Sequence, residues 1–309
     1  MAWRLTDSLD EFLVAAGEHV RAQPVHNNLL LTVLDTLRQN GLSAYGHAPP
    51  VFGWHESAGR SVDGAVLQTP PYAVLAAALP PEPLEAAIGL LGALAARGLQ
   101  PDAVNVLGSD ETSLAAAWAA AAGGSTVVRL RSRLYGLAGL VPPDPYPPGG
   151  ARVASADDAD LLVSWHVAFA GEAAESVINP ERTVGDRLSY QGLQLWELGG
   201  RPVSMAALSR PVAGVVRVVS VYTPPEHRRQ GYAGAVTSAV SQAALDAGAS
   251  AVVLFANLAN PTSNALYQRL GYRSLTDRML LRLEPGTPGP ARAGQADVTE
   301  RDAVSSWRA

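Results

Sequence analysis

The chain contains no cysteine and no lysine; all 23 of its Lys-plus-Arg residues are arginine. Without cysteine there is no disulfide, no thiolate nucleophile and no zinc–thiolate site. Without lysine there is no P-loop lysine, no Schiff base and no Ser-Lys pair. Arginine dominance beside abundant Ala, Gly and Pro also fits a compositionally biased genome. Charge is sparse, at 17% of residues and a formal −5, with no basic block or tail, which argues against nucleic acid as the main partner. No run reaches the ~18–20 apolar residues of a membrane span. The opening Met1-Ala-Trp-Arg-Leu lacks the apolar core of a signal peptide. The expectation is a soluble, cytoplasmic protein with no membrane partner. The six histidines (19, 26, 47, 55, 166, 227) show no ligand spacing, so no metal is expected.

What is present is apolar material: 48% of 309 residues, enough for two domains of about 100–150 residues each. The boundary is the run Pro142-Pro-Asp-Pro-Tyr-Pro-Pro-Gly-Gly150. Proline fixes φ and removes donors, so the run suits an extended linker. The expected organisation is an N-terminal α/β domain over 1–141, a linker over 142–150, a second domain over 151–284 and a loose tail over 285–309. The fold class is mixed α/β.

In the first half, Ser8 and Glu11 form a capping box for a helix to about His19. A second helix carries Leu30, Leu34 and Leu37. Strands follow at 51–55, 64–69 and 72–79, and Pro81 opens a helix ending near Gly98. A strand near 104–107, a helix over 111–122 and a strand over 126–134 complete the half. The second half reads α, α, β, β, β, α, β, α, β. Its helices lie over 157–170, from Pro180, over 233–247 and after Asn260-Pro261. Its strands lie over 193–198, 203–208, 215–222, 251–255 and 278–283.

The segment that carries chemistry is Val221-Tyr-Thr-Pro-Pro-Glu-His-Arg-Arg-Gln-Gly-Tyr-Ala233. A strand ends, prolines turn the chain, and a basic loop with glycine enters a helix. Such a turn gathers backbone N–H groups and the positive end of a helix dipole, which suits a pyrophosphate. Gly231 and Ala233 keep bulk away, and Arg228 and Arg229 offer charge-assisted contacts. A basic surface turn is the plain alternative.

Arg228, Gly231 and Ala233 match arginine–x–x–glycine–x–alanine, and Asn260-Pro-Thr-Ser-Asn-Ala-Leu-Tyr-Gln-Arg-Leu-Gly-Tyr272 follows about thirty residues later. Together these resemble the CoA-binding core of the GCN5-related N-acetyltransferase (GNAT) superfamily. The phrase Val-Tyr-Thr-Pro-Pro-Glu-His-Arg resembles its glycine N-acyltransferase-like branch. The resemblance is specific over 215–272, extends over 152–283, and is faint in the first half. It implies a GNAT-like fold in the second half and acetyl-CoA as cosubstrate. Val221, Tyr222 and Thr223 would pair with the pantetheine arm opposite 255–257. Residues 229–234 (Arg229, Gln230, Gly231, Tyr232, Ala233, Gly234) would hold the pyrophosphate.

The same resemblance makes Tyr267 the general acid for the departing thiolate, with a packed core tyrosine as the alternative. Ser263 and Asn264 would orient the arm, and Asn260 is an N-cap that also borders the cofactor. Glu172 and Glu175 are candidate general bases by location, with surface carboxylates as the alternative; Glu226 and His227 read as a solvated turn.

The implied activity is transfer of an acetyl or short acyl group to a small-molecule amine by direct attack on the thioester. The alternatives are a CoA-binding sensor without turnover, or a tandem acetyltransferase like the mycothiol synthase-like proteins. In the latter, the first half is a degenerate copy; its segment 106–115 lacks the arginine–x–x–glycine pattern. Arg129, Arg131 and Arg133 alternate along a strand and would line an acceptor pocket or a solvated face. The reading leaves room for a homodimer.

Overall fold

A computed structural model describes residues 2–173 and 179–286. The first half comprises β1 (Ala2–Thr6), α1 (Leu9–Ala22), α2 (Asn28–Asn40), β2 (Val51–Glu56), β3 (Val62–Gln68), β4 (Val74–Ala76), α3 (Pro83–Ala96), β5 (Ala103–Leu107), α4 (Glu111–Ala122) and β6 (Ser125–Leu137). The second comprises β7 (Gly150–Val153), α5 (Ala159–Ala173), α6 (Pro180–Ser189), β8 (Leu193–Leu198), β9 (Arg201–Leu208), β10 (Val215–Tyr222), α7 (Tyr232–Asp246), β11 (Ala251–Asn257), α8 (Pro261–Arg269) and β12 (Tyr272–Glu284). Both halves run β, α, α, β, β, β, α, β, α, β.

Local chemistry accounts for most of these elements. Ser8 Oγ accepts the Glu11 N–H at 3.2 Å and starts α1, as its sequence position requires. The Glu11 carboxylate does not complete the box; it takes the Thr6 hydroxyl at 2.5 Å. Gly123, in the left-handed region, ends α4. α3 begins at Pro83, not Pro81, because Glu82 is the N-cap and the earlier prolines are still turning the chain. β4 is only Val74–Ala76, shorter than the apolar run around it. β1 and β7 were not legible: each is a short edge strand with one ladder partner, and pairing rather than patterning makes it a strand.

All twelve strands form one sheet, in the order β1-β2-β3-β4-β5-β12-β6-β11-β10-β9-β8-β7. Reading from either edge inward, each half contributes five strands in equivalent order, and then the last strands cross over. β12 pairs with β5 of the first half, and β6 pairs with β11 of the second. The two exchanged strands pair antiparallel at the centre. Two ladders, β4–β5 and β10–β11, are parallel, and they occupy matching places.

Alternation along β10 and β11 gives the sheet two apolar faces. Val216, Val218, Val252, Leu254 and Ala256 pack under α7 and α8 with Tyr232, Ala235, Val236, Tyr267 and Leu270. Val215 and Val253 turn to the opposite face with Leu134, where Val25 of the α1–α2 turn covers them. The proline run is a packed strap. Tyr146 stacks on Trp196 with ring centroids 6.0 Å apart and bonds the Ser238 hydroxyl at 3.0 Å on α7. Trp196 Nε1 donates to the Pro148 carbonyl at 3.1 Å.

Candidate functional site

The site begins with a break in strand pairing. β10 and β11 form ladder pairs from Val215↔Ala251 to Val218↔Leu254 and then part. Both strands continue, β10 to Tyr222 and β11 to Asn257. A register shift between Val219 and Tyr222 turns β10 away, and Ser220 sits at φ +50° within it. Such a bulge places one extra residue in the strand and re-aims the groups after it. From the other sides the strands are secured. Ser204 on β9 bonds the Tyr222 carbonyl at 3.0 Å and the Thr223 hydroxyl at 2.8 Å, and β11 continues along β6 to Asn257↔Ser132. The facing edges of 219–222 and 255–257 are left with backbone groups and no ladder between them. Buried backbone groups need partners, so an extended ligand with amides of its own suits the gap.

The loop after β10 turns through a short helical turn at Pro225–His227 and enters α7 at Gly231. Arg229 lies at φ +61° and Gly231 at φ +87°, so successive peptide units alternate in direction. The first helical acceptor bond is that of the Ala235 N–H to the Gly231 carbonyl at 3.1 Å, so the amides of Tyr232, Ala233 and Gly234 precede the helix's own ladder. Gly231, Arg229 and Gln230 are exposed, whereas Tyr232 and Gly234 are buried.

Arg228 does something other than the sequence implies. Its Nε donates to the Thr223 carbonyl at 2.9 Å, and its Nη2 donates to both Glu172 oxygens at 2.6 and 2.9 Å. The guanidinium also lies 5.9 Å from the Tyr222 ring centre. It braces the loop against α5, and Arg229 is the arginine standing outward. Glu172 is thereby paired with Arg228, with about half of its own side chain exposed. Glu175 lies outside the described residues, as does the tail from 287 onward.

On α8, Asn260 caps the helix by accepting the Ser263 N–H at 3.0 Å. Asn264 donates to the Asn257 and Asn260 carbonyls at 2.8 and 2.7 Å and accepts from the Tyr135 hydroxyl at 2.8 Å. Asn264 thus ties the end of β11 to α8 and is not available to orient a ligand. Tyr267 is buried in the cluster beneath α7, its ring 6.2 Å from that of Tyr272. Among the described residues its hydroxyl has no hydrogen-bond partner, and burial pushes its pKa up to about 12. The phenol therefore holds its proton throughout the neutral range.

Two features had little signal in the sequence. His166, which reads as an ordinary helix-face residue, has a buried Nδ1 with no partner among the described residues. Burial, helped by the charge of Arg187, draws its pKa down to about 4. Arg187 itself donates to Ser220 Oγ at 2.9 Å, at the bulge of β10. The arginines of β6 are placed elsewhere. Arg133 pairs with Asp277 through two bonds of 2.7 and 2.8 Å, and Arg131 stands 3.6 Å from Glu111, in a groove of about 590 Å³ between β6, β12 and the start of α4. Arg131 and Arg133 are thus matched by carboxylates, and Arg129 is exposed.

The first half has no such loop. It repeats Pro-Pro-Glu at 80–82, where the second half has it at 224–226, but α3 starts at Pro83, whereas residues 227–231 intervene before α7. The segment 106–115 corresponds instead to the start of α8: Asp110-Glu-Thr-Ser aligns with Asn260-Pro-Thr-Ser, and Ala117 stands in the place of Tyr267.

Among the described residues no group of three or more His, Asp or Glu is placed to hold a metal, and no helix is long and apolar enough to cross a membrane. The model of the Acetyltransferase (GNAT) family matches residues 160–272. No curated protein matches the chain. Several solved structures share its fold. An acetyltransferase of the GNAT family from Colwellia psychrerythraea superposes with TM-score 0.58 at 12% identity, over 93% of this chain and 100% of that one. A GCN5-related N-acetyltransferase from Sphaerobacter thermophilus gives 0.58 at 14% identity, over 92% and 97%. Another from Kribbella flavida gives 0.52 at 22% identity, over 83% and 96%. At these identities the likeness is one of fold, and it spans both halves. Residues 160–272 thus carry the pattern of the GNAT acetyltransferase family, on a mixed α/β fold that solved GNAT proteins share along nearly the whole chain.

Proposed function

We propose that the chain is an acetyl-CoA-dependent N-acyltransferase acting on a small-molecule amine. The observation that carries this reading is the parting of β10 from β11 after Val218 and Leu254, followed at once by the loop into α7. The end of β10 at Val221 and Tyr222, with Thr223 after it, has no ladder on the side of β11. The Tyr222 and Thr223 carbonyls are held by Ser204 and Arg228, which leaves the backbone of Val221 and the N–H groups that follow it to meet the amides of a pantetheine arm. The amides of Arg229–Gly234 and the start of α7 suit its pyrophosphate, with Arg229 adding charge. Acetyl-CoA supplies an activated acyl thioester.

In this reading the N–H of Tyr222 polarises the thioester carbonyl. The amine attacks the carbonyl carbon, and the C–S bond breaks as Tyr267 gives its proton to the sulfur. A phenol that stays protonated near neutrality suits a proton donor. Arg228 and Glu172 hold the loop in shape, so Glu172 is a support and not the base. The incoming ammonium must still lose a proton, and Glu175 is the remaining carboxylate candidate from the sequence. The shared element order supports the idea that the first half is a second, degenerate copy.

The test is calorimetric titration with acetyl-CoA, together with thiol release across a panel of small amines. Saturable binding and thiol release with at least one amine are expected. Absence of any saturable heat for acetyl-CoA and CoASH would overturn the proposal. The alternative, a CoA sensor without turnover, predicts saturable binding and no thiol release with any amine.

A further inference from the structure

The walls of the gap in the second half have counterparts in the first, β4 and β5. These also part early: their parallel ladder consists of Val74↔Val104 and Leu75↔Asn105. Beyond it the same backbone groups would stand open. They are bridged instead. Arg278 lies on β12, the strand that the second half contributes beside β5, and it is only 3% exposed. Its Nη2 donates to the Ala76 carbonyl at 2.6 Å and the Asn105 carbonyl at 2.9 Å, while Nε donates to Asn105 Oδ1 at 2.7 Å. One guanidinium therefore joins the two strands at the step where their ladder stops.

A second tie closes the far end. Asp110 Oδ2 accepts the Leu79 N–H at 3.0 Å. From the repeated Pro-Pro-Glu, Leu79 stands where Thr223 stands in the second half, and Asp110 stands where Asn260 does. The strand amide that would meet a ligand is thus already taken. Burial draws the Arg278 guanidinium down to about 10, with Asp110 acting in the opposite direction, so the group stays charged at neutral pH. A buried charge persists only where it is hydrogen-bonded, as Nε and Nη2 are here.

We infer that Arg278 seals the first half's counterpart of the cofactor gap, so that each chain takes up one pantetheine nucleotide, in the second half. The crossing of β12 delivers the seal. The inference rests on reading the parting of β10 and β11 as the cofactor gap, and its test has an arm that needs no ligand.

In hydrogen exchange on the full chain, Arg278→Met is expected to raise the rates of amides in 76–79 and 104–107 at least tenfold, with β10 and β11 unchanged. Arg278→Lys keeps the charge but loses the planar fork, and should fall between. If the methionine variant does not fold, Arg278→Lys and Asp110→Asn carry the same measurement. Unchanged protection in these variants would overturn the seal. In calorimetry with CoASH, the native chain should bind one equivalent and Gly231→Asp none. Two equivalents, or a site surviving in Gly231→Asp, would equally overturn it. A native chain that binds no CoASH would refute the acyltransferase reading and the single uptake, while exchange would still decide whether Arg278 bridges the strands.

Discussion

Tyr267 shows how burial and a missing partner turn an ordinary helix residue into a candidate for chemistry. Its spacing with Leu266 and Leu270 is that of a packed helix face, and the structure does bury it; what the sequence could not show is a hydroxyl without a partner among the described residues. Tyr267→Phe should lower turnover by roughly 10²–10⁴-fold, the usual range for losing a positioned acid, while leaving CoA affinity within a factor of about two. Steady-state kinetics beside calorimetry separates the two effects, and unchanged turnover would leave Tyr267 with a packing role alone. His166 makes a second residue-scale prediction. Its pKa in the folded chain is about 4, below the ordinary 6.5, so the unfolded chain binds the proton more readily between those values. Stability associated with neutral His166 is present above about pH 6.5 and declines as pH falls toward 4. Thermal melts at pH 7 and pH 5 should show a smaller difference for His166→Gln than for the native protein, and equal differences would contradict the assignment.

The element that matters most is the junction of β10 with α7. Gly231 is the N-cap of α7 at φ +87°, a conformation that costs a residue with a side chain about 1 kcal/mol or more. Space is not the problem, since an added Cβ would meet only Pro147 at 3.6 Å. Gly231→Ala should therefore destabilise by about 1 kcal/mol in urea titration. As its backbone relaxes and the amides turn, CoASH binding should weaken at least about tenfold, or 1.4 kcal/mol. Unaltered affinity would show that these amides do not hold the nucleotide. The motif made this junction legible because glycine, proline and arginine act locally. The role of Arg228 was not legible, because its partner Glu172, 56 residues away on α5, meets it only through the way α5 packs beside β10.

For the molecule as a whole, the crossing of β6 and β12 is the governing feature. A chain cut after residue 141 would leave β5 without β12 and β6 without β11, exposing strand edges in both pieces. It would also take Arg278 away from the Ala76 and Asn105 carbonyls. Neither 1–141 nor 142–309 is therefore expected to fold alone, and the intact chain should unfold in one transition by circular dichroism and by intrinsic fluorescence. A cooperative melt from either isolated piece would show that the halves are independent despite their common sheet.

Read alone, the sequence determined the features that depend on near neighbours. The cap at Ser8, the N-cap at Asn260, the glycine at 231 and the alternation of Val-rich strands all follow from the conformations that a few adjacent residues allow. The glycine- and arginine-bearing turn into α7 belongs to that class too. Tertiary structure alone decided which strand edges stay unpaired and which are filled. The break between β10 and β11, the bridge by Arg278 and the exchange of the last strands bring together residues far apart in the chain. Backbone groups are alike at every position, so only the packed sheet can settle which of them find a partner in the protein and which remain for a ligand.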